Sequence, residues 1–97
     1  MDVRRLELLR ELADRGTITA VAAATHRTAS AVSQQLKLLE AEAGVPLTEK
    51  EGRGIRLTGA GRALAETARR IAVAIESAEA LWSEYKQTPT GTVTLST

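Results

Sequence analysis

Cysteine and phenylalanine are absent from this chain, and histidine, tryptophan and tyrosine occur once each. Without cysteine there are no disulfides and no thiolate metal sites, which by itself says nothing about compartment. The single His26 has no second ligand beside it in the sequence, so neither a metal nor a cofactor is expected. One histidine, no thiol and no paired-carboxylate cluster leave no candidate catalytic residue, and the chain does not read as an enzyme. The shortage of aromatics leaves Leu, Val, Ile and Ala to build the core, which favours helices. No stretch approaches the roughly 20 apolar residues of a membrane span, and the N-terminus lacks an apolar run of signal-peptide length. A cytoplasmic location away from membranes is therefore the default expectation. The 97 residues have room for one small domain and one extended element.

Acids are scarce in two windows, although the net charge is only +1. No acid lies between Asp14 and Glu40, where Arg15, Arg27 and Lys37 occur, and none lies between Glu51 and Glu66, where Arg53, Arg56 and Arg62 occur. Chance could produce such windows, but they coincide with the motifs that follow.

Residues 28 to 43 carry two chemistries on two faces of one expected helix. Val32, Leu36, Leu39 and Ala43 recur at steps of four, three and four, the spacing of a buried helical stripe. The other face carries Ser30, Ser33, Gln34 and Lys37, hydrogen-bonding groups and one cation, with no acid before Glu40. Such a face suits the major groove, where a carboxylate would be repelled by phosphate. Thr28 can cap this helix, and Gly44 and Pro46 can close it.

Upstream, Asp2 is a candidate cap for a first helix lined by Val3, Leu6, Leu9 and Ala13 and ended by Gly16. Its Arg4 and Arg5 read as solvated surface cations, with a phosphate contact as the alternative. A short Ala-rich helix from about Ile18 to Ala24 then precedes the turn that holds His26. Together with the helix from Thr28 it forms a helix-turn-helix, with Ala22 and Ala23 small enough for a close crossing. Downstream, a short run to about Glu51, a Gly52-Arg53-Gly54 tip and a return through Ile55 to Leu57 read as a β-hairpin. A hairpin directly after a recognition helix is the wing of a winged helix, and the arginine at its tip can reach a minor groove or a phosphate.

Thr58 can cap one long helix from about Gly59 to Gln87, roughly 43 Å at 1.5 Å per residue. Leu57, Gly61, Leu64, Ala68, Ile71, Ile75, Ala78, Trp82 and Tyr85 form a heptad seam along it. The first helix can cover only part of this seam, so a second copy of the chain is the economical cover. Pro89 breaks the helix, and the closing TVTLST alternates like a strand without a partner, or is a disordered tail. The expected organisation is a winged helix-turn-helix over 1–58, a dimerisation helix over 59–88, and over 89–97 a hinge with the first strand of an absent further domain.

Taken in order, Gly16 and Thr17, Ala31, Ser33 and Gln35, Leu38 to Glu40, the Gly44-Val45-Pro46-Leu47 turn, Gly52 with Arg53, and Arg56-Leu57-Thr58 with Ala60 and Gly61 resemble the N-terminal DNA-binding region of LysR-type transcriptional regulators. The resemblance covers essentially the whole chain. It implies a mostly α fold, a recognition helix in the major groove of double-stranded DNA, a flanking wing, and a long helix that pairs antiparallel with that of a second subunit. It also implies an effector-binding domain that starts near the closing strand, to which alone a small-molecule co-inducer would bind. Ala29 and Ser30 stand where members often carry Gln and Pro, so the base preference does not carry over. The expected DNA-binding set is Thr28, Ala29, Ser30, Ser33, Gln34, Lys37, Arg53 and Arg56, with Thr28 toward phosphate and Arg53 toward the minor groove or backbone. The expected dimerisation set is Leu64, Ala68, Ile71, Ile75, Ala78, Trp82 and Tyr85. A winged helix used only as a protein-interaction or dimerisation module is the rival reading, against which the acid-free face counts.

Overall fold

The computed structural model describes residues 1–87, so the expected hinge and strand over 89–97 lie outside the described residues. Three short helices, a two-stranded hairpin and one long helix follow each other in the chain. Helix α1 (Val3–Arg15) starts where the Asp2 carboxylate accepts the Arg4 N–H and stops at Gly16, whose φ of 90° is the left-handed conformation that glycine adopts without strain. Helix α2 (Ile18–Thr25) is capped by the Thr17 hydroxyl, which accepts the Ala20 N–H at 3.1 Å. Its last turn closes on His26 at φ 56°, the one non-glycine residue with positive φ among those described. Helix α3 (Ala29–Ala43) begins at Thr28, which accepts the Ala31 N–H at 3.0 Å, and ends at Gly44, φ 77°.

Two core expectations need correction. Leu6 and Leu9 are buried, but Val3 and Ala13 are exposed, and Leu8 and Leu12 take their places. The reason is that α1 packs against α2, α3 and α4 together, so the buried arc is wider than, and rotated from, the stripe facing a single neighbour. In α2, Ala22 is buried but Ala23 is exposed; the helix crossing uses one small residue. The stripe of α3 behaves as its period requires, with Val32, Leu36 and Leu39 buried and Ala43 half-buried. Leu47 and Leu57, at the two legs of the hairpin, complete the core with Ala65 and Ala68.

Strands β1 (Thr48–Glu51) and β2 (Gly54–Leu57) pair antiparallel, Thr48 opposite Leu57 and Glu51 opposite Gly54. The tip is thus the two residues Gly52 and Arg53, not three, because Gly54 is already in the ladder. Gly52 has φ 60° while Arg53 is not among the positive-φ residues, the pattern of the tight turn with glycine in the first central position that suits the twist of a hairpin.

Helix α4 (Gly59–Gln87) is a single element of 29 residues. Thr58 caps it, its hydroxyl accepting the Gly61 N–H at 3.0 Å. The first half packs on α1, and the bidentate Arg69–Asp14 ion pair ties the two helices at the surface. Every residue from Val73 to Lys86 is exposed, so the second half projects beyond the core without cover from its own chain. The boundary expected at residue 58 divides secondary structure but not packing, since Ala65 and Ala68 belong to the same core as α1.

Candidate nucleic-acid interface

The outer face of α3 is built by its inner face. Once Val32, Leu36 and Leu39 are fixed in the core, residues at 29/30, 33/34 and 37 fall on the opposite side, one turn apart. Ala29, Ser30, Ser33, Gln34 and Lys37 together line one open, shallow concavity. Ser30, Gln34 and Lys37 are exposed and Ser33 is half-buried. Thr28 spends a lone pair on capping, yet its O–H can still donate outward. The face thus brings together the five α3 residues that the sequence singles out, with Thr28 beside them as the cap of the helix.

The wing needs a finer reading. Arg53 is exposed at the tip. Arg56 stands across the ladder from Glu49, and its guanidinium donates to Glu49 at 2.9 Å and to Glu51 at 3.0 Å. The hydrogen bond to Glu49 and the charge of both carboxylates raise its pKa above the ordinary value. Arg56 is therefore engaged in masking the two acids of the wing, which would otherwise repel a polyanion. Among the described residues no ion pair engages Lys37 or Arg53.

Two interactions that sequence reasoning missed hold the face in place. Arg5, expected as a solvated cation, donates from Nε to Gln35 at 2.9 Å and from Nη1 to Glu42 at 3.0 Å, strapping α1 to α3. Glu40, near the end of α3, accepts the backbone N–H groups of Leu47 at 2.8 Å and Thr48 at 3.1 Å. The partners lie 30 and 37 residues away from Arg5, and 7 and 8 residues away from Glu40. For Arg5, periodicity carries no signal across such a span; for Glu40, a carboxylate where the helix dipole disfavours one is the available hint.

The expected dimerisation set is split. Ala68 is only 2% exposed and sits in the core, and Leu64 and Ile71 are half-buried against it. Ile75, Ala78, Trp82 and Tyr85 are all exposed, Trp82 at 65% and Tyr85 at 70%. Ile75, Ala78 and Trp82 share an open groove with Glu79, Ser83 and Lys86.

Residues 3–62 match the family model described as bacterial regulatory helix-turn-helix protein, lysR family. The chain is 41% identical over 71 residues to the HTH-type transcriptional regulator TcbR of Pseudomonas sp. (strain P51), covering 73% of this chain and 24% of that protein. It is 33% identical over 97 residues to an uncharacterized HTH-type transcriptional regulator of Azotobacter vinelandii, covering 100% of this chain and 67% of that protein. Among solved structures, that of the CbnR DNA-binding domain in complex with DNA superposes with a TM-score of 0.75 at 36% identity, over 87% of this chain and 98% of that one. The chain spans about a quarter of the length of TcbR. It belongs to the lysR family of bacterial regulatory helix-turn-helix proteins.

Proposed function

We propose that this chain binds operator DNA sequence-specifically, as a dimer, and thereby regulates transcription. The observation that carries the reading is the acid-free outer face of α3, held rigidly by a buried inner face. Ser30, Ser33 and Gln34 supply donors and acceptors for base edges, and Lys37 a cation for bases or backbone. Thr28 and the N-terminus of α3 suit a phosphate, and Arg53 a minor groove or phosphate beside it. Ala29 leaves room for close approach. Arg56 contributes by neutralising Glu49 and Glu51 rather than by a contact of its own. The reading is further supported by CbnR, a family member whose DNA-binding domain was solved with DNA.

The second copy covers the distal half of α4. Ile75, Trp82 and Tyr85 are exposed large side chains that follow each other at steps of seven and three along one face, a strip of the kind that soluble monomers avoid. The role is binding rather than catalysis, in the bacterial cytoplasm where the DNA is. A small-molecule co-inducer would act through an effector-binding domain outside these residues. Selecting DNA from a random duplex pool tests this reading. Enrichment of an inverted repeat supports it, and enrichment of no consensus favours a protein-interaction module.

A further inference from the structure

The wing is a lever on a narrow base. Strands of four residues in a two-stranded sheet are marginal on their own, and along them only Leu57 is buried. Orientation must be set where the hairpin joins the core, and that junction is the Leu47 peptide. The Leu47 side chain is 2% exposed, and its carbonyl accepts the Thr58 N–H at 3.0 Å. Its N–H, with that of Thr48, is held by one oxygen of Glu40. Thr58 braces the other leg by donating its hydroxyl to the Pro46 carbonyl at 2.8 Å.

Glu40 is an awkward residue for its place in α3. A carboxylate near a helix C-terminus opposes the macrodipole, and it adds negative charge to the helix that carries the DNA face. Both penalties are offset by the two amides it accepts from the first leg of the wing. We propose that Glu40 is a positioning residue for DNA binding, which fixes the wing relative to α3 so that Arg53 reaches the duplex while Gln34 and Lys37 lie in the groove. The inference rests on the reading that α3 and the wing contact DNA. Four strand residues span about 14 Å, so a tilt of about 10° at the base moves the tip by about 2 Å. That displacement breaks a hydrogen bond to phosphate, whose length tolerance is a few tenths of an ångström.

The sign of the effect separates positioning from charge. Removing a carboxylate from a DNA-binding protein should, on Coulombic grounds, tighten binding. Positioning demands the reverse for Glu40→Ala, with affinity retained in Glu40→Gln, whose amide oxygen still accepts both N–H groups. The test is a double-mutant cycle of Glu40→Ala and Arg53→Ala in the whole chain, titrated on the duplex it selects, over a range of salt. Each single variant is expected to weaken binding about tenfold, and each to lower the salt slope by about one. The double variant should bind no more weakly than Arg53→Ala alone, because Glu40 acts through Arg53. If Glu40→Ala does not fold, Glu40→Asp, one methylene short of the amides, takes its place. Tighter binding by the Glu40 variant, additive losses in the double variant, or a loss in Glu40→Gln equal to that in Glu40→Ala would overturn the proposal. Arg53→Ala binding like the parent would remove the wing contact itself, and with it the proposal. Additive losses would leave the wing contact standing.

Discussion

Gly61 lies against the Leu47 carbonyl so closely that a Cβ built on it would come within 2.0 Å of the oxygen and 3.3 Å of the Leu47 Cα. The first turn of α4 therefore rests directly on the peptide that begins the wing, and only glycine permits the approach.

Gly61→Ala should destabilise the chain by about 1 to 3 kcal/mol, the range for forced overpacking. The carbonyl cannot move aside cheaply, because it also accepts the Thr58 N–H. Gly59 has nothing within 4 Å of its Cβ position, so Gly59→Ala should leave stability unchanged or raise it by less than about 1 kcal/mol. Thermal unfolding followed by circular dichroism checks both; equal midpoints for the two variants would contradict the close approach.

What the sequence makes legible is mostly local. Asp2, Thr28 and Thr58 cap helices because a short oxygen-bearing side chain meets free N–H groups two or three residues on, and Gly16 and Gly44 end helices through their φ. The acid-free face of α3 follows from period alone. The exposure of Val3 and Ala13 does not, because which arc of α1 is buried depends on the angles at which three other helices arrive. Gly61 falls on the expected seam, but the neighbour that requires it is the backbone of Leu47 rather than a second helix. The pairing of Arg56 with Glu49 could have been read from the hairpin once its tip was known to hold two residues, since the register then places 49 opposite 56. The straps by Arg5 and Glu40 depend on tertiary placement that periodicity does not encode.

Asp14 should make stability depend on pH. Hydrogen bonds from Arg69, and the charges of Arg69 and Arg10, hold its carboxyl below the ordinary 3.8 despite some opposing desolvation. A carboxyl whose folded pKa is depressed contributes stability that is fully present above the unfolded value and lost as pH falls through the folded one. Asp14→Asn should accordingly unfold at lower temperature than the parent at pH 7, with the gap closing below pH 3.8. A gap that stays constant down to pH 2 would contradict the ion pair. The effect should be small and salt-sensitive, as both partners are partly solvated.

The distal half of α4 should hold two chains together. Because Ile71 is half-buried on its own core, the informative changes lie farther out. Ile75→Asp combined with Trp82→Asp should yield a monomer of unchanged helical content and much weaker operator affinity. Sedimentation checks this, and an unmodified chain that is monomeric at tens of micromolar, on the order of what a working dimer should survive, would contradict it. Two-fold pairing further requires half-sites about 34 to 36 Å apart along the DNA, or a multiple of that distance.

Lys37→Ala should weaken binding to all duplexes if it contacts phosphate, lowering the salt slope by about one, while leaving the selected consensus unchanged. Titration at several salt concentrations distinguishes this from a base contact, for which the consensus itself would shift.

The central claim is that the outer face of α3 reads bases, and repeating the random-pool selection with Gln34→Ala tests it most directly. The account predicts the same inverted repeat with the same spacing, relaxed at one position in each half-site at a cost of roughly 1 to 3 kcal/mol for the parent's preferred base. A consensus identical to the parent's at every position, with unchanged affinity, would contradict it.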